Sequence, residues 1–123
     1  MSNKVLIIED DKTIQQVIKS MLMTEGYEAE TADNGEEGLE VMKEFKPDVI
    51  MLDIMMPVMS GFDFLKHLKD ESIPVIVLTS LGQEIVEKKV RALGAKYFLQ
   101  KNDIHLDDIK NKITEVLKEE SKK

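Results

Sequence analysis

The chain has 123 residues, 42% of them apolar, with a formal net charge of -7 and no cysteine. That length suits one domain, read here as 1–123, with a core between layers, and the lack of thiols excludes disulfides and thiolate chemistry. The acidity argues against direct nucleic-acid binding, which needs Lys and Arg against phosphates, and no apolar run approaches the roughly 20 residues of a spanning helix, so a soluble cytoplasmic protein without membrane insertion is expected.

In chain order, Val5–Ile8 is a short apolar run that ends in Glu9, Asp10 and Asp11. From Thr13 to Glu25, Ile14, Val17, Ile18, Met21 and Leu22 recur at helical spacing, with Gly26 as a stop and Asp11 as N-cap or its neighbour. Tyr27, Ala29 and Thr31 alternate with Glu28 and Glu30, the period of a half-exposed edge strand. Gly35 opens a helix with Leu39, Met42 and Phe45 on its inner side, ended by Pro47. The buried run Val49–Leu52 reaches Asp53, and a turn-rich stretch from Pro57 to Gly61 leads to a helix carrying Phe62, Leu65 and Leu68, which Pro74 is expected to stop. Val75–Leu78 then runs into Thr79 and Ser80, and a helix starting at Gly82 places Val86, Val90 and Leu93 before a left-handed cap at Gly94. Tyr97–Leu99 leads to Lys101, and Leu106, Ile109, Ile113, Val116 and Leu117 line a last helix expected to fray into the tail Lys118–Lys123.

Five strands alternating with five helices predict a doubly wound α/β domain, a parallel sheet with helices on both faces. Such sheets bind ligands beyond the carboxyl ends of their strands, where four of the five runs here turn polar. Carboxylates crowded at one edge repel strongly and are tolerable mainly with a divalent cation between them. Magnesium suits an all-oxygen donor set, and Glu9, Asp10 and Asp53 meet that need. The Lys101 ammonium can neutralise a phosphoryl oxygen, the Thr79 hydroxyl can donate to another, and a central carboxylate can itself attack phosphorus.

These motifs resemble the receiver domain of bacterial two-component response regulators. The resemblance spans essentially the whole chain: Val5-Leu6-Ile7-Ile8-Glu9-Asp10-Asp11, then Pro47 through Pro57 around Asp53 with Gly61, then Val77-Leu78-Thr79-Ser80, then Gly94-Ala95 leading to Phe98 and Lys101. It implies a flavodoxin-like three-layer sandwich with strand order 2-1-3-4-5. Asp53 would accept a phosphoryl group from a sensor histidine kinase, a histidine phosphotransfer protein or a small phosphodonor. Glu9, Asp10, Asp53 and the Met55 backbone carbonyl would hold Mg2+, and Thr79 and Lys101 would contact the phosphoryl oxygens. Thr79 and Phe98 would form the switch, and the helix Gln83–Leu93, the fifth strand and the last helix would present the changed surface to a downstream protein. Catalysis would be limited to the domain's own aspartyl phosphorylation and dephosphorylation. With no effector after Lys123, a chemotaxis-regulator-like single-domain protein is expected, acting by reversible contact or by passing the phosphoryl group on.

Three positions depart from the family pattern. Glu9 stands where many relatives have Asp, Phe98 lacks a phenol hydroxyl, and Asn102 replaces a common proline, removing the bias toward a cis peptide that sets the lysine's approach. Ser80, Leu81 and Met55 are placed to control water at the phosphoryl group, and Met55, Met56 and Met59 to cover the site. Taken singly, each site residue has an ordinary reading: Asp53 as a solvated strand-end carboxylate, Glu9 and Asp10 as a charged loop, Thr79 as a β-branched strand residue, Lys101 as a surface lysine. Met21, Met42 and Met51 are read as core fillers, and His67 and His105 lack ligand partners and are read as surface residues. A flavin binder of the same architecture would need a phosphate-cradling loop after the first strand, where three acids stand. An aspartyl phosphatase would need an acid at Met55. The remaining rival is a receiver-like binding module that works without phosphorylation.

Overall fold

A computed structural model describes residues 3–56, 58–68, 72–79, 83–101 and 105–122, apart from the side chains of Thr79 and Gln83. Short β-branched and aliphatic runs form the strands β1 (Lys4–Ile8), β3 (Val49–Asp53) and β4 (Val75–Thr79), while the alternating polar segment β2 (Glu28–Ala32) and the aromatic β5 (Tyr97–Gln100) complete the set. Between and after them lie the helices α1 (Lys12–Thr24), α2 (Gly35–Phe45), α3 (Gly61–Leu68), α4 (Gln83–Ala92) and α5 (Leu106–Glu120). All strands are parallel in the order β2-β1-β3-β4-β5. This is the doubly wound, flavodoxin-like sandwich expected from the sequence.

The two-residue period of a strand divides the core in two. Leu6, Ile8, Ile50, Leu52, Val75 and Val77 face α2, α3 and α4 and meet Phe64, Leu65, Val86 and Val90. Val5, Ile7, Val49, Met51, Ile76 and Leu78 face α1 and α5 and meet Ile18, Leu22, Ile109, Ile113 and Val116. The edge strand β2 is half exposed, as its alternation predicts, with Ala29 and Ala32 as its buried residues. After β1 the chain steps outward to β2, and from β3 it runs the other way, so the switch point lies between β1 and β3.

Side chains fix the element ends. Asp11 caps α1, accepting hydrogen bonds from the Thr13 and Ile14 amides, and Asn34 caps α2 through the Glu37 amide. Gly94 takes φ 102° after α4, the left-handed cap its sequence position predicts. His105 precedes α5 and its amide donates to Asp108.

Several expectations change. Val17 is 46% exposed on α1, whereas Gln15 is buried, because the face toward the sheet follows Gln15, Ile18 and Leu22. Where α3 stops before Pro74 lies outside the described residues; the Pro74 carbonyl accepts from the Ile50 amide as β4 begins. The tail does not fray at Lys118: α5 continues to Glu120, held by the Tyr97 hydroxyl at 2.6 Å and Lys96 at 3.3 Å. Met56 and Met59 pack against the core instead of covering the site, while Met55 stays exposed. The expectations for Ser80, Leu81 and Asn102, and for Gly82 as a helix start, lie outside the described residues.

The loop after β3 folds back on it. The Gly61 amide donates to the Ile54 carbonyl at 2.9 Å, and a Cβ on Gly61 would stand 2.7 Å from Ile54 Cα and 2.8 Å from the Asp53 carbonyl oxygen. Gly61→Ala must therefore move backbone at the end of β3, and a loss of about 1–3 kcal/mol in urea unfolding is expected. Val58 sits at φ 68° and is 77% exposed, so its branched side chain bears left-handed strain without compensating burial. Val58→Asn relieves that strain, and the same unfolding assay should show a gain of about 1 kcal/mol.

Candidate functional site

Ile8 pairs with Leu52, so Glu9 and Asp53 leave neighbouring strands side by side at the switch point. Asp10 follows on the same loop, and one carboxylate oxygen from each of Glu9, Asp10 and Asp53 lies within 4.8 Å of the others. Glu9 is fully buried, Asp53 is 4% exposed, and Asp10 faces solvent. Lys101, just beyond β5, reaches across β4 to the pair, with Nζ 2.9 Å from Glu9 Oε1 and 3.1 Å from Asp53 Oδ2. The Met55 amide donates to Asp53 Oδ1 at 3.3 Å, which turns the following loop around the carboxylate. Thr79 ends β4, one residue beyond the Leu78 that pairs with Asp53, so its backbone borders the same edge.

Burial dominates the electrostatics of Glu9. Desolvation, with added repulsion from Asp53 and a side-chain hydrogen bond with Asp10 that favours the neutral form, pushes its carboxyl up from 4.5 to about 7 against the pull of Lys101 and the Asp11 amide. For Lys101 burial works the other way, but the close carboxylates of Glu9 and Asp53 outweigh it and hold the ammonium above its ordinary range. Two attractions near 3 Å oppose the repulsion between the acids and offset part of the cost of burying them together.

The donor set fits a hard divalent cation. Oxygens around an octahedral Mg2+ lie about 3 to 4.2 Å apart, a spacing these side chains can close to from their present positions. Glu9 Oε2 accepts from the Asp11 amide at 3.1 Å, but Oε1, although at ion-pair distance from Lys101, has no partner in hydrogen-bond geometry. A buried carboxylate oxygen left this way has lone pairs to offer a metal. With Glu9 ionised, three carboxylates against one ammonium sum to -3 + 1 = -2, the complement of a divalent ion.

Glu9, Asp10, Asp53 and Lys101 thus come together as the sequence suggests, while the Thr79 hydroxyl lies outside the described side chains. Phe98 stands apart on β5, half-buried, with the Arg91 guanidinium 4.6 Å from its ring centroid and Glu87 bound to that guanidinium at 2.8 Å. The sequence reading missed Gln15, whose burial beside Glu9 is signalled by its spacing three residues before Ile18 and seven before Leu22.

Comparison with known proteins agrees with this fold. Residues 5–114 match the response regulator receiver domain. The cell cycle response regulators CtrA of Brucella ovis and Brucella abortus are 41% identical over 91 residues, which cover 74% of this chain and 39% of theirs. The chain therefore spans well under half the length of these curated relatives. Among solved structures, the chemotaxis protein CheY4 of Vibrio cholerae is similar at TM-score 0.88 and 31% identity, over 94% of this chain and 99% of that one. A receiver domain protein of Methanospirillum hungatei reaches TM-score 0.92 at 27% identity, over 99% of this chain and 98% of that one. The chain belongs to the response regulator receiver domain family, the signalling modules of two-component phosphorelays.

Proposed function

We propose that residues 1–123 form a receiver that takes a phosphoryl group on Asp53 in the cytoplasm and thereby changes its affinity for a partner protein. The observation that carries this reading is the Glu9–Asp53–Lys101 cluster at the switch point, with acid and ammonium both within reach of one small anion. An Asp53 carboxylate oxygen would bond to phosphorus as the bond from phosphorus to a phosphohistidine nitrogen, or to the oxygen of a small acyl phosphate, breaks. The Lys101 ammonium would exchange part of its contact with Asp53 for a phosphoryl oxygen, and the Thr79 hydroxyl would donate to another. Glu9, Asp10, Asp53 and the Met55 carbonyl would hold Mg2+, which when bound supplies charge neutralisation for the phosphoryl oxygens. Catalysis is confined to this acyl phosphate and its hydrolysis.

The readout is a two-state change biased by a new charge of roughly -1.5 to -2. Thr79 and Phe98 would carry it to α4, β5 and α5, the surface offered to a downstream target, while a histidine kinase or phosphotransfer protein is the donor. For Phe98 to turn inward, its contact with Arg91 must loosen, so the change is one of packing and cation–π contact and needs no phenol hydroxyl.

Intact mass after incubation with acetyl phosphate is expected to show one added phosphoryl group that requires both magnesium and Asp53, and Asp53→Asn should show none. Lys101→Ala should slow the reaction by about 10²-fold or more. No adduct, together with no binding of beryllofluoride, would favour the phosphorylation-independent binding module. The raised Glu9 carboxyl adds a pH signature. Between 4.5 and about 7 the metal-free folded state holds a proton that the unfolded chain has lost, so Glu9's contribution to stability is full below that window and is lost as pH rises through it. Urea unfolding in chelator should show wild type losing stability relative to Glu9→Gln across this window. Mg2+ affinity should move oppositely, rising by up to about tenfold per pH unit below the Glu9 value and levelling above it.

A further inference from the structure

Among the described residues three polar side chains are buried, and two of them, Glu9 and Asp53, belong to the site. The third is Gln15 on α1, 1% exposed. Its Nε2 donates to the Glu9 backbone carbonyl and, at 2.8 Å, to Asp33 Oδ1, with the Ala32 carbonyl at 3.3 Å as a weaker third acceptor. All three neighbours are acceptors, so the amide nitrogen must face them, and its two hydrogens are committed to the two short bonds. The Glu9 amide in turn donates to the same Ala32 carbonyl at 3.0 Å. The backbone of Glu9 is therefore gripped on both sides, by β2 through its N–H and by Gln15 through its C=O. Asp33 is itself fixed: Lys12 binds its carboxylate at 2.7 Å, and its amide donates to Glu37 Oε1 at 3.0 Å.

We infer that Gln15 is a positioning residue for the acidic loop, locking the Glu9 main chain so that its carboxylate stays beside Asp53 and Asp10. A side chain held at the end of a strand has no ladder beyond it to fix its direction. Here the first residue past β1 would otherwise be free to rotate its peptide and carry a metal-binding carboxylate away. A methionine at this place would fill the same volume yet donate nothing, leaving the Glu9 carbonyl without its amide and Asp33 with Lys12 as its side-chain donor. The inference rests on the reading of Glu9, Asp10 and Asp53 as the Mg2+ site.

The test is an amide chemical-shift titration with MgCl2 on wild type, Gln15→Met and Ile113→Val, the last being a core truncation on α5 away from the site. The expected result is saturable shifts around Glu9 and Asp10 in wild type, an apparent Kd at least about tenfold weaker in folded Gln15→Met, and a wild-type Kd in Ile113→Val. Equal affinity in wild type and Gln15→Met would overturn the positioning role while leaving the metal site intact. Weakening of equal size in Ile113→Val would also overturn it, since general loosening would then suffice. Absence of binding in wild type would overturn the site reading and this inference with it. Should Gln15→Met fail to fold, the wild-type Gln15 side-chain amide protons decide: protection from solvent exchange and a shift on adding Mg2+ support the role, and free exchange without a shift overturns it.

Discussion

One ammonium holds the active edge of this domain together. Glu9 and Asp53 are buried carboxylates at the ends of adjacent strands, an arrangement that costs desolvation twice and adds their mutual repulsion. Lys101 offsets it from a third strand, at 2.9 and 3.1 Å, and so joins the ends of β1, β3 and β5 into one electrostatic unit.

That triad depends on strand order. Lys101 lies far from Glu9 in sequence, and only the sequence of crossovers that sets β1 and β3 at the centre, with β4 and β5 beyond them, brings the two within reach. Each strand is short, so the residue after its last ladder position is already at the edge and presents its side chain to the cleft. Core packing on both faces holds the strands in a register that pairs Ile8 with Leu52, and a slip by one residue would exchange the two faces of a strand. The hydrophobic core thus sets the geometry of the acids without touching them.

The loops add the finer control. Gly61 allows α3 to start almost in contact with the backbone of Asp53, and the Met55 amide turns toward the Asp53 carboxylate. On the other side Gln15 and Ala32 fix the main chain of Glu9. Besides Lys101, both acids are therefore held by neutral neighbours, Glu9 through its main chain and Asp53 through its carboxylate.

Much of this was legible in the residues themselves. Short aliphatic runs ending in acids, a hydroxyl and a lysine specify both the doubly wound sheet and which polar residues gather at its edge, because strand burial demands apolar continuity and a buried polar group there needs a partner. Glu9, Asp10, Asp53 and Lys101 could be named from position alone, and so could the caps at Asp11 and Gly94, which rest on local backbone rules. Distances, burial and pairing partners lay beyond that reading. The direct bridge from Lys101 to Glu9, the place of Gln15 in the buried face of α1, the outward turn of Val17 and the anchoring of α5 by Tyr97 and Lys96 each join segments distant in sequence or depend on which face of a helix meets the sheet. Local pattern determined which residues could form the site, and the three-dimensional packing decided which of them share charge, because electrostatic contact depends on separation in space and not along the chain.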